Sequence, residues 1–347
     1  MTDQLKVQFK DIMKDNVWTA LLEKAKLFSQ LQPWQWMDDD EIFLVVDPET
    51  GKKLFCSVIG ALGEEFGMVV YIGDDGYKSL RQTLENPAYS SDCVYSQHAL
   101  LISFVNRNEL EKEDYKLIQS QGMTFRGKKQ WPQFRSFVPG YYPWTISEEE
   151  AKLAIVALDQ AIDVVRRAES GFVIPPFSSD GAMFARIGEK KGNAVVWRDE
   201  LISMDELEIK GEETAYELLV DPKLLDTAKR IGEKYNAPIE FDASYVNKPV
   251  QEKKGERPYF PIFVLAADLK THLVIHQDLL PLNDTAMHVQ KSFLDMILSL
   301  GKVPREVRMK RTTKTMLEPV LTQLPIRVLE VSQVPIIEHV RRLFERF

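Results

Sequence analysis

Apolar positions recur along this chain at two periods, and those periods lay out its elements. Leu5, Phe9, Ile12 and Met13, then Trp18, Leu21, Leu22, Ala25 and Phe28, stand three and four residues apart, the spacing of one helix face. Asp15-Asn16 is the expected break between two helices. Pro33 ends the second, because proline has no N–H to continue the ladder. Residues 42–46 and 54–59 are β-branched and aromatic and flank Asp47-Pro-Glu-Thr-Gly51, which predicts a hairpin. Further strands are predicted over 68–72, 99–105 and 134–138, with helices over 77–84 and from Asn108 to about Ser120. Ser147 and Glu150 form a capping-box pattern ahead of a helix over 151–168.

After Gly171 the texture changes to Pro175-Pro176 and a Ser-Ser-Asp-Gly turn. A second hairpin is predicted from 183–187 and 194–197, followed by a strand over 215–220, a helix over 222–235 and a short strand over 238–241. Residues 247–258 are charged and nearly without apolar content, the composition of a linker. Beyond them come strands over 260–267 and 273–280 about a turn at 268–271. Helix 285–300, strand 306–309, helix 313–324, strand 326–331 and helix 336–347 follow. The expected fold class is α+β, with a mainly antiparallel N-terminal sheet and a small C-terminal α/β domain of order ββαβαβα. The expected divisions are a domain at 1–170, a connecting α+β region at 171–246, a linker at 247–258 and the α/β domain at 259–347.

Composition narrows the classes. The chain has 347 residues, 44 Lys+Arg against 52 Asp+Glu, 44% hydrophobic and 28% charged residues, values that exclude a mostly disordered or fibrous chain. No apolar run approaches the roughly 18 residues of a membrane span, the start shows no signal-peptide pattern, and two cysteines make no disulfide scaffold. A cytoplasmic protein with no membrane association and no cofactor is the expectation. The net charge of −8 hides an asymmetry: 251–347 carry 15 Lys+Arg and 11 Asp+Glu, a net of +4, while 1–250 carry 29 and 41, a net of −12. Such a split suits a polyanion-binding end or two mutually attractive halves.

The element order from residue 260 onward resembles a trimmed ribonuclease H-like fold, with an Asp closing its first strand, Phe-Val-Leu-Ala-Ala-Asp268. The resemblance implies a carboxylate there that helps bind a catalytic metal and a second Asp at the strand after the first helix. That stretch reads Val307-Arg308-Met309-Lys310-Arg311, basic where acid is required, so the scaffold is a degenerate one. Asp268, His276 and Asp278 remain the candidate catalytic set for a metal-dependent hydrolase, since hard cations favour oxygen ligands. His272 and His276, four apart on a strand, would stand about 13 Å apart and do not share an ion without a bulge. Asp268 also has a plain reading, as the residue serving a hairpin turn.

Arg305, Arg308, Lys310, Arg311 and Lys314 form the densest basic cluster and are the candidate anion or nucleic-acid site, at a strand end and a helix start. Their plain reading is a solvated, salt-bridged surface. Trp34, Trp36, Trp131, Tyr141, Tyr142 and Trp144 gather around proline-rich loops and are the candidate binding groove, against a reading as lids over the core. Gly60-Ala-Leu-Gly63-Glu-Glu-Phe-Gly67 lies between two strands and reads as close backbone packing, not as a phosphate cradle. Asp38-Asp39-Asp40 matches no EF-hand loop, and Cys93 with His98 has no accompanying oxyanion motif.

Two strings, Leu31-Gln-Pro-Trp-Gln-Trp-Met-Asp-Asp-Asp-Glu-Ile-Phe and Val58-Ile-Gly-Ala-Leu-Gly-Glu-Glu-Phe-Gly-Met-Val-Val-Tyr-Ile-Gly, are similar to an uncharacterised bacterial two-domain family of unknown function. The resemblance implies a bacterial cytoplasmic setting and transfers no catalytic residue. The reading that follows is a non-enzymatic binding or regulatory protein, with a protein or a polyanion as its partner. A nucleic-acid- or phosphate-associated protein on a degenerate ribonuclease H-like scaffold and a metal-dependent hydrolase are the alternatives.

Overall fold

The computed structural model describes residues 16–63, 65–85, 95–177, 181–192, 194–207 and 215–345. The pattern at Leu5–Met13 and the thiol of Cys93 lie outside them. The chain divides into two compact units, Met1–Pro139 with Pro143–Ile209, and Gly140–Tyr142 with Lys210–Phe347.

In the first unit helix α1 (Val17–Leu31) begins at the expected break, where the Asn16 side chain accepts the Trp18 N–H at 3.0 Å. Strands β1 (Phe43–Val46), β2 (Lys53–Ile59), β3 (Gly67–Ile72), β4 (Ala99–Val105) and β5 (Trp131–Phe137) form an antiparallel run, with helices α2 (Gly73–Glu85) and α3 (Lys112–Ser120) between them. Helix α4 (Glu148–Glu169) then crosses over to β6 (Ala182–Lys191), which lies parallel to β1 with Phe43 opposite Phe184. Strand β7 (Ala194–Ser203) pairs back on β6, and the short helix α5 (Met204–Leu207) follows. The sheet order is β5-β4-β3-β2-β1-β6-β7. Alternate residues of β1 and β2 face opposite layers: Phe43, Val45, Leu54 and Cys56 pack with α1 and α4, while Leu44 and Phe55 pack with Tyr77 and Leu80 of α2. Burial on both faces accounts for the unbroken apolar run at 42–46.

Two glycines in the Gly60–Gly67 stretch are forced by space. A Cβ on Gly67 would sit 2.0 Å from the Ile102 carbonyl oxygen on β4, and one on Gly60, whose φ is +131°, would lie 2.9 Å from the Trp34 side chain. The stretch is therefore close packing, as its sequence suggests. Gly73-Asp-Asp-Gly76 forms the first turn of α2, where Asp74 and Asp75 complement the positive end of the helix.

The second unit holds helix α6 (Pro222–Lys229), the short strand β8 (Lys234–Tyr235), strands β9 (Ile239–Tyr245), β10 (Ile262–Asp268) and β11 (Val274–Leu280), and helix α7 (Thr285–Leu300). There follow β12 (Val303–Pro304), β13 (Glu306–Met309), α8 (Arg311–Leu321), β14 (Arg327–Glu330) and α9 (Pro335–Glu345). The main sheet runs β11-β10-β9-β13-β14, antiparallel across β9, β10 and β11 and parallel across β9, β13 and β14. Ile239, Phe241, Val264 and Ala266 pack on α7 and α8; Phe263, Leu265 and Ala267 pack on α9.

Three expectations change here. The region at 171–246 is not a connector: β6 and β7 complete the first sheet and β9 is the middle strand of the second. Residues 247–258 join β9 to β10 within one sheet, since an exposed loop and an interdomain linker share one composition. Finally, 215–220 forms no strand. Its backbone bonds go to the buried Gln290 of α7, which donates to the Glu217 carbonyl at 2.9 Å and accepts the Leu219 N–H at 2.9 Å. A side-chain amide thus replaces the missing ladder partner.

Candidate functional site

Asp268 is the last residue of β10, and because β9 enters the sheet before it, Asp268 stands on the second strand. Its Oδ1 accepts the backbone N–H groups of Lys270 and Thr271 at 2.7 and 2.8 Å, closing the hairpin turn, and its Oδ2 accepts the Tyr235 hydroxyl. Burial pulls its carboxyl upward, but the hydrogen bonds from Tyr235, Thr271 and Lys270 outweigh that and hold it below the usual carboxylate range. The same contact, with burial, pushes the Tyr235 phenol up to about 12. His272 lies in the turn with φ +60°, off the strand. His276 faces α7, where its Nε2 lies 2.9 Å from Ser292 Oγ. Burial lowers its pKa, opposed by the charges of Asp278 and Asp295. Asp278 borders a groove of about 610 Å³ shared with Val246, Phe263, Leu279 and Phe344. Asp268 thus serves a turn, apart from the surroundings of His276 and Asp278. Among the described residues no three His, Cys, Asp or Glu side chains come together as a metal site.

Topology points to a carboxylate that the sequence reading missed. The first strand of the five-stranded sheet is β9, Ile-Glu-Phe-Asp-Ala-Ser-Tyr, and it carries Glu240 and Asp242, exposed by only 2% and 1%. Asp242 Oδ1 accepts the Thr313 hydroxyl of α8 at 2.9 Å, and the same hydroxyl oxygen accepts the Ala243 N–H at 3.2 Å. Glu240 Oε2 accepts the N–H groups of Ile336 and Ile337 at 3.0 and 3.1 Å, satisfying the first turn of α9. Just past β13, the strand parallel to β9, Lys310 pairs with Glu338 of α9 at 3.2 Å. The only sequence signal for this set is an acidic pair inside a strand.

The basic cluster spreads along β13 and α8. Arg308 pairs with Glu306 at 3.3 Å, Lys310 with Glu338, and Lys314 with Glu330 at 3.2 Å. Arg305 is exposed. Much of the positive charge is therefore cancelled by neighbouring carboxylates, as in the salt-bridged surface weighed above.

The six loop aromatics do not form one groove. Trp34 is buried among Phe28, Phe66 and Phe104 at centroid distances of 6.2, 5.7 and 5.5 Å, while Trp36 is 42% exposed. Trp131 packs between Tyr115 and Phe125 at 6.3 and 6.2 Å, and Trp144 bonds through its backbone to Ser136. Tyr141 and Tyr142 belong to the second unit, where Tyr142 lies 6.1 Å from Phe260 and Arg257 stands over Tyr141. Trp34 and Trp131 pack into the core of the first unit, while Trp36, Tyr141 and Tyr142 are exposed. The other thiol, Cys56, is buried, and its pKa is pushed up by that burial, which leaves it inert.

A second cavity, of about 620 Å³, opens in the first unit between Lys52, Lys53, Asp74, Asp75, His98, Glu149 and Glu150. It combines both charge signs, with the imidazole Nδ1 of His98 buried and unpartnered among the described residues. No helix among the described residues is long and apolar enough to cross a membrane.

Residues 18–186 match the family model described as a domain of unknown function (DUF7309), and residues 224–345 match a second domain of unknown function (DUF6930). No curated protein and no solved structure matches the chain.

Proposed function

We propose that this chain, which belongs to a two-domain family of unknown function, is a non-enzymatic binding or regulatory protein of the bacterial cytoplasm. In this reading its C-terminal unit is a ribonuclease H-like scaffold whose metal position is filled by its own side chains. The strand order β11-β10-β9-β13-β14 supports the scaffold part, since three antiparallel strands are continued by two parallel ones joined through α8. The observation that carries the non-catalytic part is Lys310. Where the resemblance requires the second carboxylate, an ammonium stands 3.2 Å from Glu338. Clamping a phosphoryl group with two metals needs carboxylates free to ligate. Here Glu240 Oε2 is engaged by the N–H groups of α9 and Asp242 Oδ1 by Thr313, and Lys310 opposes a cation. The residues present do not fit a catalytic divalent ion.

A polyanion partner for the basic cluster has less support, because Arg308, Lys310 and Lys314 each have a carboxylate neighbour. Thermal denaturation with Mg²⁺ and Mn²⁺, beside cleavage assays on single- and double-stranded nucleic acid, tests the proposal. The expected result is an unchanged melting temperature and no cleavage. A metal-dependent rise that Asp242→Asn removes, or cleavage lost in that variant, overturns it.

A further inference from the structure

The two edges of the five-stranded sheet differ in kind. Edge β14 ends in charged residues, Arg327 and Glu330, the usual guard against edge pairing. Edge β11 is seven residues long and presents apolar side chains to solvent on either side of the exposed Gln277, with Val274 39% and Leu279 61% exposed and Leu273, just before it, 63% exposed. Beside it lies the groove of about 610 Å³ floored by Val246 and Phe263 and flanked by the half-exposed Phe344.

The strand itself reads Val274-Ile275-His276-Gln277-Asp278-Leu279-Leu280, and it is self-complementary about Gln277. From this we infer that β11 is a dimerisation edge, pairing antiparallel with β11 of a second copy across a two-fold axis through Gln277. In that register His276 faces Asp278 of the second copy and Asp278 faces its His276. The two Gln277 amides meet on the axis, and beyond this centre Leu279 meets the second copy at its bulge, beside Ile275. Both pairs that flank the axis bring an imidazole to a carboxylate. A two-fold operation keeps the sheet faces, so His276 and Asp278, opposite Ala266 and Val264 in the β10 ladder, meet on the α7 side in both copies. The β-bulge lies in β11 itself, where Ile275 is the extra residue between the Ala266–His276 and Ala267–Val274 pairs, so it falls toward the ends of the new ladder and leaves residues 276–278 at its centre regular. Leu279 and the neighbouring groove are then covered by the second copy, which removes the exposed apolar strip.

Position 277 gives a test that a folding defect does not imitate. Gln277 is exposed, so Gln277→Lys and Gln277→Glu each place like charges together on the axis, while their mixture places opposite charges there. Sedimentation of the full chain at about 100 µM is expected to give a dimer for the wild type. Each variant alone is expected to dimerise at least about tenfold more weakly, a shift of about 1.4 kcal/mol. An equimolar mixture is expected to return to the dimer. A monomeric wild type overturns the inference, and so does a variant that dimerises as the wild type does. A mixture that stays monomeric overturns the two-fold register.

Discussion

At the scale of single residues, Asp268 closes β10 with both of its carboxylate oxygens engaged. Asp268 looks like a strand-end metal ligand, yet its oxygens are spent on two turn N–H groups and the Tyr235 hydroxyl. Asp268→Ala is expected to cost about 2 kcal/mol in denaturant unfolding, because it leaves a turn open and a phenol without its acceptor. Since folding holds this carboxyl below its ordinary value, its stabilisation is complete above the unfolded-state pKa and disappears as pH falls through the folded one. Melting temperature measured down through about pH 4 should therefore fall more steeply for the wild type than for Asp268→Asn. The turn role is legible in the sequence, as Asp followed closely by Lys-Thr at a hairpin. Asp242 is not legible, because an acidic residue within Ile-Glu-Phe-Asp-Ala acquires meaning only once β9 is seen to be the first strand of the sheet.

At the scale of elements, local pattern located most helices and strands, and it failed where long-range partners decide. The hairpin at β1 and β2, the capped α4 and the alternation from β10 to α9 all follow from period and punctuation. The capping box forms as expected, with Glu150 N–H donating to Ser147 Oγ at 3.2 Å and Ser147 N–H to Glu150 Oε2 at 2.7 Å. Ser147→Ala should lower stability by about 1 kcal/mol in urea titration, a typical N-cap loss. The segment at 215–220 has a strand's composition but no strand's partner. Gln290, fully buried, bonds instead to the backbone of Glu217, Leu219 and Met316. Gln290→Leu keeps the volume and strands those groups, so it should cost about 3 kcal/mol, read as a shifted urea midpoint at constant slope. No pattern within 215–220 announces a partner 71 residues away from Leu219.

At the scale of the whole molecule, division into two units redraws the charge asymmetry. Residues 210–347 hold 21 Lys+Arg against 19 Asp+Glu, a net of +2, leaving −10 on residues 1–209. The opposition of sign survives, but the positive surplus is small and largely ion-paired, so polyanion binding loses its main support. Two domains were legible in the sequence; their border was not, because the parallel pairing of β6 with β1 crosses the change of texture at Gly171. Under the proposed function, Asp242–Thr313 and Lys310–Glu338 occupy the place where a metal would be held. The most direct test is a crystal of the full chain grown with Mn²⁺ and measured at the manganese absorption edge. No anomalous peak beside Asp242 and an intact Lys310–Glu338 pair are expected; a manganese ion held by Asp242 and Glu338, with Lys310 displaced, overturns the proposed function.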